Sequence, residues 1–563
     1  MMRSPFPWAT LFLVAQACTT PPDLQDLSLA EQNLAIAEVF ETPAPYSVRT
    51  LDSTELAAFF DTHPEYRVDS AEIMAFYTRR EMQFAWIVSD SLSASADAFI
   101  ALVNTADTTL PKATDLNHKL MDLYYQGFSE GRRIALCDSC ATDLELRLTA
   151  QFFRFADKKY GGYLKRDLRE LDWFIPRRRK DASRMLDSLA KGVIDLSAYE
   201  PVHAQYRLLK ERLQRYHALA EVPWPELPLP QALRKLEPGD SALVIAAIRE
   251  RLALIGDLDS AGTGTRYDST LVPAVQRFQI RHGLHPDGVI GAGFMKAINV
   301  PMAERLRTIL INMERLRWVD EHQPADLILV NIPEFRLHVY EADTLVKSMD
   351  VVVGKTATRT VIFSDVMDRL VFSPTWTVPP GIMRADILPN LKKNPGYLAS
   401  RNMELLSGGQ VVSAQGIDWN RFSTGIPYTV RQKPGPSNAL GLVKFLFPNE
   451  YHIYLHDTPT KGLFAKEQRA FSFGCIRVSE PVWLSEYLLK DDPEWDPARI
   501  RQAMNSGRER LVMLKHKRPV TIGYFTAWVD REDRLNFRED VYRHDERLYR
   551  ELFAVGMPLQ AAR

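Results

Sequence analysis

The chain has 563 residues and a mass of 64.3 kDa, which corresponds to about three to five folding units at roughly 100–200 residues per domain. Hydrophobic residues make up 46% and charged residues 25% of the sequence, so wholesale disorder and a collagen-like fibre are excluded. The 70 Lys and Arg residues balance 71 Asp and Glu residues, and the net charge of −1 leaves no broad basic field to hold nucleic acid.

The amino terminus has the pattern of a bacterial export signal. A short apolar run, residues 6–17, ends in the small-residue sequence AQA, where signal peptidases cleave. Cys18 follows, so the same residues also resemble a lipobox, although Ala15 stands where Leu is usual. We predict a signal peptide over residues 1–18 and a periplasmic protein, with an outer-membrane lipid anchor at Cys18 as the alternative to plain cleavage. A buried amino-terminal helix is disfavoured because a proline pair follows directly.

The sequence contains four cysteines, and in an oxidising envelope each of them needs an explanation. Cys137 and Cys140 form a CxxC pattern without a second CxxC or a nearby His pair, so a local disulfide is expected rather than zinc. Thioredoxin-like redox chemistry is the alternative, but the βαβ pattern that it requires is missing. Cys475 has no evident partner, and an unpaired cysteine in an exported protein is a candidate nucleophile.

The first half of the chain is predicted to be helical. Leu144, Leu148 and Phe152 recur at helical spacing, and four basic residues at 177–180 indicate a solvated face. Four prolines within residues 223–230 form a stiff spacer in which helices cannot continue. The predicted segments are a signal peptide over 1–18, a tether over 19–50, a helical domain over 51–220, a proline-rich linker over 221–235, a compact unit over 236–299 and a final domain over 300–563.

The compact unit over 236–299 carries specific sequence patterns. Asp240 is predicted to cap a helix that ends at Gly256, and Asp268 to cap a second helix. YD at 267–268, FQ at 278–279, HGL at 282–284 and DGVIG at 287–291 closely resemble the small three-helix peptidoglycan-binding domain of many wall enzymes. His282 and His285 lack an acidic or cysteine partner at ligand spacing, so packing or surface roles are expected rather than metal binding.

After a predicted helix over 302–318 the apolar period changes to two. Residues 327–332, 335–341 and 345–353 have the pattern of a β meander, and runs at 370–372, 451–455 and 511–514 extend it. A helical, loop-rich insertion over about 381–446 interrupts these strands. The predicted fold class is multidomain α+β, with a helical N-terminal domain, a small three-helix unit, and a mainly β domain built on a mixed sheet or sandwich.

His456 and Cys475 are candidates for a base and its nucleophile. A free thiol with a pKa of ~8.5 is only a few per cent ionised at neutral pH, so a cysteine nucleophile needs a base or a cation beside it. Gly474 allows the backbone to approach a substrate closely, and the N–H groups of Gly474 and Cys475 could form an oxyanion hole. A buried structural cysteine near an unrelated histidine would explain these two residues, taken alone, equally well.

The residues around this pair resemble the L,D-transpeptidase catalytic domain. YLHDTP at 454–459 and FSFGCIRV at 471–478 are similar to its signature, a His followed at a distance by Ser-x-Gly-Cys and an apolar-Arg tail. WTVPP at 376–380, DILP at 386–389, PGYL at 395–398 and PGPSNALG at 434–441 are similar to the large periplasmic members of that family. Those members join a helical scaffold domain, a peptidoglycan-binding domain and a catalytic domain with a capping insertion.

By position, the resemblance implies that Cys475 is the nucleophile and His456 its general acid and base. It implies that a backbone carbonyl near Ser472 or Phe473 orients the histidine, so Asp457 is not assigned as a third member. Phe473 departs from the His that is frequent there in the broader family, which leaves its substrate contacts open. No cofactor and no metal are implied. The implied substrate-binding residues are Arg477, Tyr454, Asn438, Ser472 and Phe473, and Gly474 is implied in the oxyanion hole.

The implied reaction is acyl transfer through a thioester, with peptidoglycan peptide stems as donor and acceptor and envelope synthases as further candidate partners. A papain-like wall peptidase is disfavoured because those enzymes place Cys before His in the chain. An L,D-carboxypeptidase would use the same thioester and resolve it with water, and the sequence leaves this alternative open. A non-catalytic wall-binding lipoprotein would need only residues 236–299, but the intact His456 and Cys475 pair disfavours it.

Overall fold

The computed structural model describes residue 47 and residues 49–88, 91–104, 138–162, 167–176, 182–190, 203–229, 234–320, 323–423 and 425–553. The predicted export signal with Cys18, most of the tether, the basic cluster at 177–180 and the side chains of Cys137 and Cys140 lie outside the described residues. The described helices include none that is both long enough and apolar enough to cross a membrane.

The chain divides into two compact units. The first takes residues 1–101, 122–150 and 183–198, and the second takes residues 102–121, 151–182 and 199–563. The domain boundaries inferred from the sequence stay predictions. The N-terminal elements are α1 (Ser53–Thr62), α2 (Ser70–Arg79), β1 (Ile87–Val88), β2 (Ser91–Leu92), α3 (Ala94–Asn104), α4 (Asp138–Gly161) and α5 (Ala182–Ala190). The predicted helical character of this region is confirmed.

A carboxylate is buried in the core of the first unit. Glu145 lies on α4 and is fully buried. Its carboxylate accepts hydrogen bonds from the backbone N–H groups of Ala85 (2.5 Å) and Trp86 (3.0 Å) and from the hydroxyl of Tyr77 (2.8 Å). Burial raises the pKa of Glu145 to about 7, although these hydrogen bonds act in the opposite direction. This carboxyl therefore titrates near neutral pH.

In the second unit, helices α6 (Ala204–Ala220), α7 (Val244–Ile255), α8 (Leu271–Arg281), α9 (Ala292–Ile298) and α10 (Met302–Leu316) follow the proline-rich stretch. The Asp268 carboxylate caps α8 as predicted, accepting from the N–H groups of Thr270 (3.0 Å) and Leu271 (3.2 Å). The predicted cap of α7 is wrong. Asp240 lies too far before the first turn of α7, and its carboxylate accepts from the N–H of Glu237 at 2.7 Å instead.

The second unit contains a nine-stranded mixed sheet with the order β13-β5-β14-β12-β11-β6-β15-β3-β4, and β4 also pairs with β5, so the sheet closes on itself. Its strands are β3 (Leu327–Asn331), β4 (Arg336–Glu341), β5 (Thr344–Gly354), β6 (Phe363–Phe372), β11 (Val443–Leu446), β12 (Leu455–His456), β13 (Ala470–Ser472), β14 (Ile476–Val478) and β15 (Arg510–Gly523). One hydrophobic core connects this sheet with α6 and with the helices of residues 236–299.

The remaining elements surround this sheet. Helices α14 (Pro481–Leu488), α15 (Pro497–Met504) and α16 (His544–Phe553) and the hairpin of β16 (Ala527–Val529) and β17 (Leu535–Phe537) complete the C-terminal part. The strand predicted over 451–455 is wrong for most of its length. The side chain of Asn449 accepts from the N–H groups of Tyr451 and Ile453, both at 3.1 Å, which folds this stretch into a turn before β12.

The insertion contains more β structure than the sequence pattern indicated. Short helices α11 (Pro380–Ile382), α12 (Leu388–Lys393) and α13 (Tyr397–Ser400) accompany a four-stranded sheet with the order β7-β10-β8-β9, whose strands are β7 (Trp376–Thr377), β8 (Met403–Ser407), β9 (Gln410–Val412) and β10 (Thr429–Gln432). The insertion has a separate hydrophobic core, which includes Leu391 and Trp419. The predicted range of the insertion, about 381–446, includes β11, which pairs with β6 and β12 in the main sheet.

Candidate active site

Two short parallel strands bring four of the predicted site residues to one face of the sheet. β12 pairs with β14 in the register Leu455 to Ile476 and His456 to Arg477. Leu455 and Ile476 are fully buried in the core. Because side chains alternate along a strand, the residues on either side of them face the opposite way. The side chains that share this opposite face are those of Tyr454, His456, Cys475 and Arg477.

His456 is oriented by a carbonyl group, but not by the one predicted. Its Nδ1 lies 2.5 Å from the carbonyl oxygen of Asp457. A carbonyl can only accept, so Nδ1 donates and the neutral ring leaves Nε2 as a proton acceptor. The expected orientation by Ser472 or Phe473 is wrong. The Ser472 carbonyl instead accepts from the N–H of Lys355 and the hydroxyl of Thr358, both at 3.0 Å.

The Asp457 carboxylate is held by donors other than the His456 ring. It accepts from the backbone N–H groups of Leu442 (2.9 Å) and Thr458 (2.7 Å) and from the Lys461 ammonium (2.5 Å). Gly441 packs against it with a φ of +61°, and any Cβ at this position would overlap the Asp457 side chain. The side chain of Asp457 therefore holds its own carbonyl in place behind the histidine.

Burial keeps both groups of the proposed catalytic pair neutral. It lowers the pKa of His456 to about 4, and the nearby Arg477 guanidinium acts in the same direction. It raises the pKa of the Cys475 thiol, although hydrogen bonds from Tyr454 and the charge of Arg477 act in the opposite direction. The resting site therefore contains a thiol and an unprotonated imidazole at neutral pH.

Cys475 is a free thiol that is partly exposed. Its Sγ donates to the carbonyl oxygen of His452 at 3.6 Å. Tyr454 is adjacent in the strand register, and burial followed by the interaction with Cys475 raises the pKa of its hydroxyl. The hydroxyl therefore keeps its proton and can donate beside the sulfur.

The turn before Cys475 is held by Ser472. The Ser472 hydroxyl donates to the carbonyl oxygen of Cys475 at 2.6 Å and accepts from the N–H of Gly474 at 3.2 Å. Gly474 has a φ of +113°, which favours glycine. Two sequence predictions change here. The N–H of Gly474 is already engaged and is not open to an oxyanion, and the Ser472 side chain is buried and shapes the turn instead of meeting substrate.

The other predicted substrate residues separate into buried and accessible ones. Asn438 is fully buried, and its amide donates to the carbonyls of Pro374 (3.1 Å) and Lys433 (2.9 Å), so its predicted substrate role is wrong. Phe473 is 47% exposed, with the Lys355 ammonium 4.4 Å from the centre of its ring. Arg477 is half-buried, and its Nε has no hydrogen-bond partner within the described residues.

Several functional contacts had no signal in the sequence. The Thr360 hydroxyl donates to the carbonyl oxygen of Gly474 at 2.7 Å, and the hydroxyl of Tyr542, far along the chain, donates to the carbonyl of Gly354 at 2.5 Å. Pairing β5 with β13 and β14 brings these groups together. Single threonine or tyrosine residues in loops carry no pattern that could reveal them.

The described residues contain no group of three or more His, Cys, Asp or Glu side chains that could hold a metal ion. His282 is half-buried, with its ring stacked on Phe278 at 3.9 Å between centroids. Its Nδ1 donates to the Phe278 carbonyl at 2.8 Å. This histidine packs against the core, in line with the role expected from the sequence.

Three parts of the chain match models of known protein families. Residues 325–500 match the model of the L,D-transpeptidase catalytic domain, residues 71–213 match a scaffold domain, and residues 244–298 match a model described as "Putative peptidoglycan binding domain". The chain thus carries an L,D-transpeptidase catalytic domain together with scaffold and peptidoglycan-binding domains. The family resemblance inferred from the sequence and the α+β fold class are confirmed.

Among curated proteins, a Haemophilus influenzae protein described as "Putative L,D-transpeptidase" is 34% identical over 241 residues. The alignment covers 43% of this chain and 48% of that protein, so the chain spans about half the length of this relative. Among solved structures, L,D-transpeptidases from Stackebrandtia nassauensis and Xylanimonas cellulosilytica are 14% and 13% identical, cover 51% and 53% of this chain, and are themselves covered to 95% and 100%. Their TM-scores of 0.20 and 0.17 are too low to support a conclusion about this chain.

Proposed function

We propose that this protein is a peptidoglycan L,D-transpeptidase that forms 3→3 cross-links between peptide stems through a thioester at Cys475. The observation that carries this proposal is the shared face of β12 and β14. On it lie a free thiol, an imidazole whose Nε2 is an acceptor, and a partly buried guanidinium. The match to an L,D-transpeptidase catalytic domain over residues 325–500 supports the same reaction.

In the proposed first half-reaction, Nε2 of His456 accepts the proton of the Cys475 thiol while the sulfur attacks the carbonyl on the L-centre of a diamino acid in a tetrapeptide stem. The C–S bond forms, and a tetrahedral oxyanion develops. The hydroxyl of Tyr454, which keeps its proton beside the sulfur, can donate to that oxyanion. His456 then returns the proton to the departing amine, D-Ala leaves, and a thioester remains.

In the second half-reaction an amine from a neighbouring stem attacks the thioester. His456 accepts the proton of that amine, the C–S bond breaks, and the thiol is restored. Arg477 is proposed to bind a carboxylate of the stem, because its guanidinium faces the site and its Nε lacks a partner among the described residues. Phe473 is proposed to contact substrate through its exposed ring.

An L,D-carboxypeptidase remains the second candidate, since it shares every step up to the thioester. Incubation of the protein with purified disaccharide-tetrapeptide, followed by mass spectrometry, separates the candidates. A cross-linked dimer supports the transpeptidase, and tripeptide alone supports the carboxypeptidase. Unchanged substrate, with the protein shown to be folded, would favour a non-catalytic wall-binding protein. Cys475→Ala should give unchanged substrate under the same conditions.

Residues 236–299 are proposed to bind peptidoglycan without chemistry of their own, a role supported by the family match over 244–298. This segment, prepared alone, should sediment with insoluble sacculi. If it stays in solution under conditions where the full chain sediments, the segment is a packing domain only.

The protein is proposed to act in the periplasm, with Cys18 as a lipid anchor to the outer membrane. The support is the sequence AQAC at 15–18, with Thr19 next rather than Asp. Cys18→Ala should move the protein from the membrane fraction to the soluble periplasmic fraction. Unchanged fractionation would reject the anchor and leave export in place.

A further inference from the structure

The turn that presents Cys475 is supported from two sides. On one side, the loop between β5 and β6 contacts its carbonyl groups, with Thr358 donating to Ser472 at 3.0 Å and Thr360 donating to Gly474 at 2.7 Å. On the other side, the turn before β12 places the carbonyl of His452 against the Cys475 sulfur at 3.6 Å. His452 itself has a φ of +55°, so this turn is tightly wound.

A segment distant in sequence, residues 167–176, contacts the first of these supports. It belongs to the part of the chain that matches the scaffold domain. Asp172 forms an ion pair with Arg359 at 3.0 Å, and its carbonyl accepts from the N–H of Ile362 at 2.8 Å. The N–H of Phe174 donates to the carbonyl of Ile362 at 2.7 Å. The segment therefore lines the loop on both sides of Thr360, whose hydroxyl reaches the nucleophile turn.

The same segment also contacts the second support. The ring of Phe174 packs on the ring of Tyr451, with 4.5 Å between their centroids. Tyr451 precedes His452 in the turn that is closed by the side chain of Asn449. A single stretch of scaffold sequence thus holds both the loop that fixes the nucleophile turn and the carbonyl that receives the thiol hydrogen.

We propose that residues 167–176 position the nucleophile, with Asp172 acting through Arg359 and Thr360, and Phe174 acting through Tyr451. This proposal deepens the proposed function and rests on it. The φ of +56° at Asp172 is a conformation that Asp and Asn tolerate better than most residues. Asp172→Asn therefore keeps the backbone shape and removes the negative charge that faces Arg359 and His544. None of the positioning residues touches substrate in this proposal.

The test measures the rate at which a carbapenem acylates Cys475 and, separately, the rate at which iodoacetamide alkylates it. Asp172→Asn and Thr360→Val should each slow the maximal acylation rate about tenfold, the factor expected for one buried polar contact, with half-saturation changed by less than about twofold. Alkylation needs no oriented substrate and should become faster as the turn loosens. Thr360→Ser retains the hydroxyl and should restore the wild-type rates.

A double-mutant cycle decides whether Asp172 acts through the loop. The Asp172→Asn, Thr360→Val variant should acylate as slowly as Thr360→Val alone, because both changes break one chain of contacts. Effects that multiply would overturn this route. Asp61→Asn removes an ion pair to Arg67 in the other unit and is the control for loss of charge. Its acylation and alkylation rates should equal those of the wild type.

The two proposals fail in different ways. A wild-type protein without an adduct on Cys475 would reject the proposed function, while the alkylation rates would still decide whether the segment positions the thiol. Wild-type acylation together with unchanged acylation and alkylation in Asp172→Asn and Phe174→Leu would overturn the positioning role. Thermal unfolding of each variant is measured alongside, and a midpoint equal to that of Asp61→Asn shows that the changed rates do not reflect unfolding.

Discussion

Gly441 lies directly behind the carboxylate that supports the catalytic histidine, and replacing it with alanine tests that support. Its φ is +61°, and an added Cβ would lie 2.5 Å from the Cβ of Asp457 and closer still to its carboxylate. The backbone at Gly441 cannot by itself shift far enough to make room for the added Cβ. The Asp457 side chain must move, and it then loses its bonds to Leu442 and Thr458.

The expected cost has two parts. An alanine in the left-handed region costs roughly 1–2 kcal/mol. A buried carboxylate that loses its backbone donors adds about 1.5–3 kcal/mol. Gly441→Ala should therefore lower the free energy of unfolding of the catalytic domain by about 2.5–5 kcal/mol. Because the Asp457 carbonyl orients His456, acylation should also slow, by up to the roughly 10²–10⁴-fold that a general base contributes.

Gly408→Ala is the matched control for this experiment. Gly408 has a φ of +55°, and no heavy atom lies within 4 Å of its Cβ position. It should show only the backbone cost of roughly 1–2 kcal/mol and no change in acylation. Urea unfolding and intact-mass acylation kinetics measure the two effects. The reasoning is refuted if Gly441→Ala is no more destabilised than Gly408→Ala, or if it acylates at the wild-type rate.

Three further predictions concern the titration of His456, the titration of Glu145 and the identity of the nucleophile. Because the pKa of His456 is lowered to about 4, acylation should persist down to about pH 4. Arg477→Gln should move this limit to higher pH, since removing the cation favours the imidazolium. An unchanged pH profile in this variant would contradict the reasoning. Between about pH 4.5 and 7, Glu145 is protonated in the folded unit and ionised in the unfolded chain. The free energy of unfolding should therefore fall by up to roughly 3 kcal/mol as the pH rises through this range. Glu145→Gln should abolish this pH dependence in urea unfolding. A carbapenem should add its mass to Cys475 in the wild type, not at all in Cys475→Ala, and about 10²–10⁴-fold more slowly in His456→Ala; an adduct in Cys475→Ala would reject the assigned nucleophile.

Elements that depend on local periodicity and short motifs could be predicted from the amino-acid sequence. Apolar residues at helical spacing predicted that the N-terminal region is helical, and Asp268 indicated the start of α8. Alternating apolar and polar residues predicted β3, β4 and β5. The short sequence motifs around His456 and Cys475 were enough to indicate the family, because they concentrate reactive residue types in a few positions. Such signals are contained within a short stretch of chain, and one sequence is enough to read them.

The groups that surround the Cys475 thiol could be identified only from the three-dimensional structure. The sequence placed the support of His456 at Ser472 or Phe473, and the fold places it at Asp457, because β12 ends where the chain turns beneath Gly441. The family resemblance implied Asn438 as a substrate-binding residue, yet packing buries it completely. Asp172 and Arg359 are remote in sequence and meet only because an extended stretch pairs beside Ile362. Contacts of this kind depend on register and burial across the closed sheet, and residue types or spacings along the chain carry no record of either.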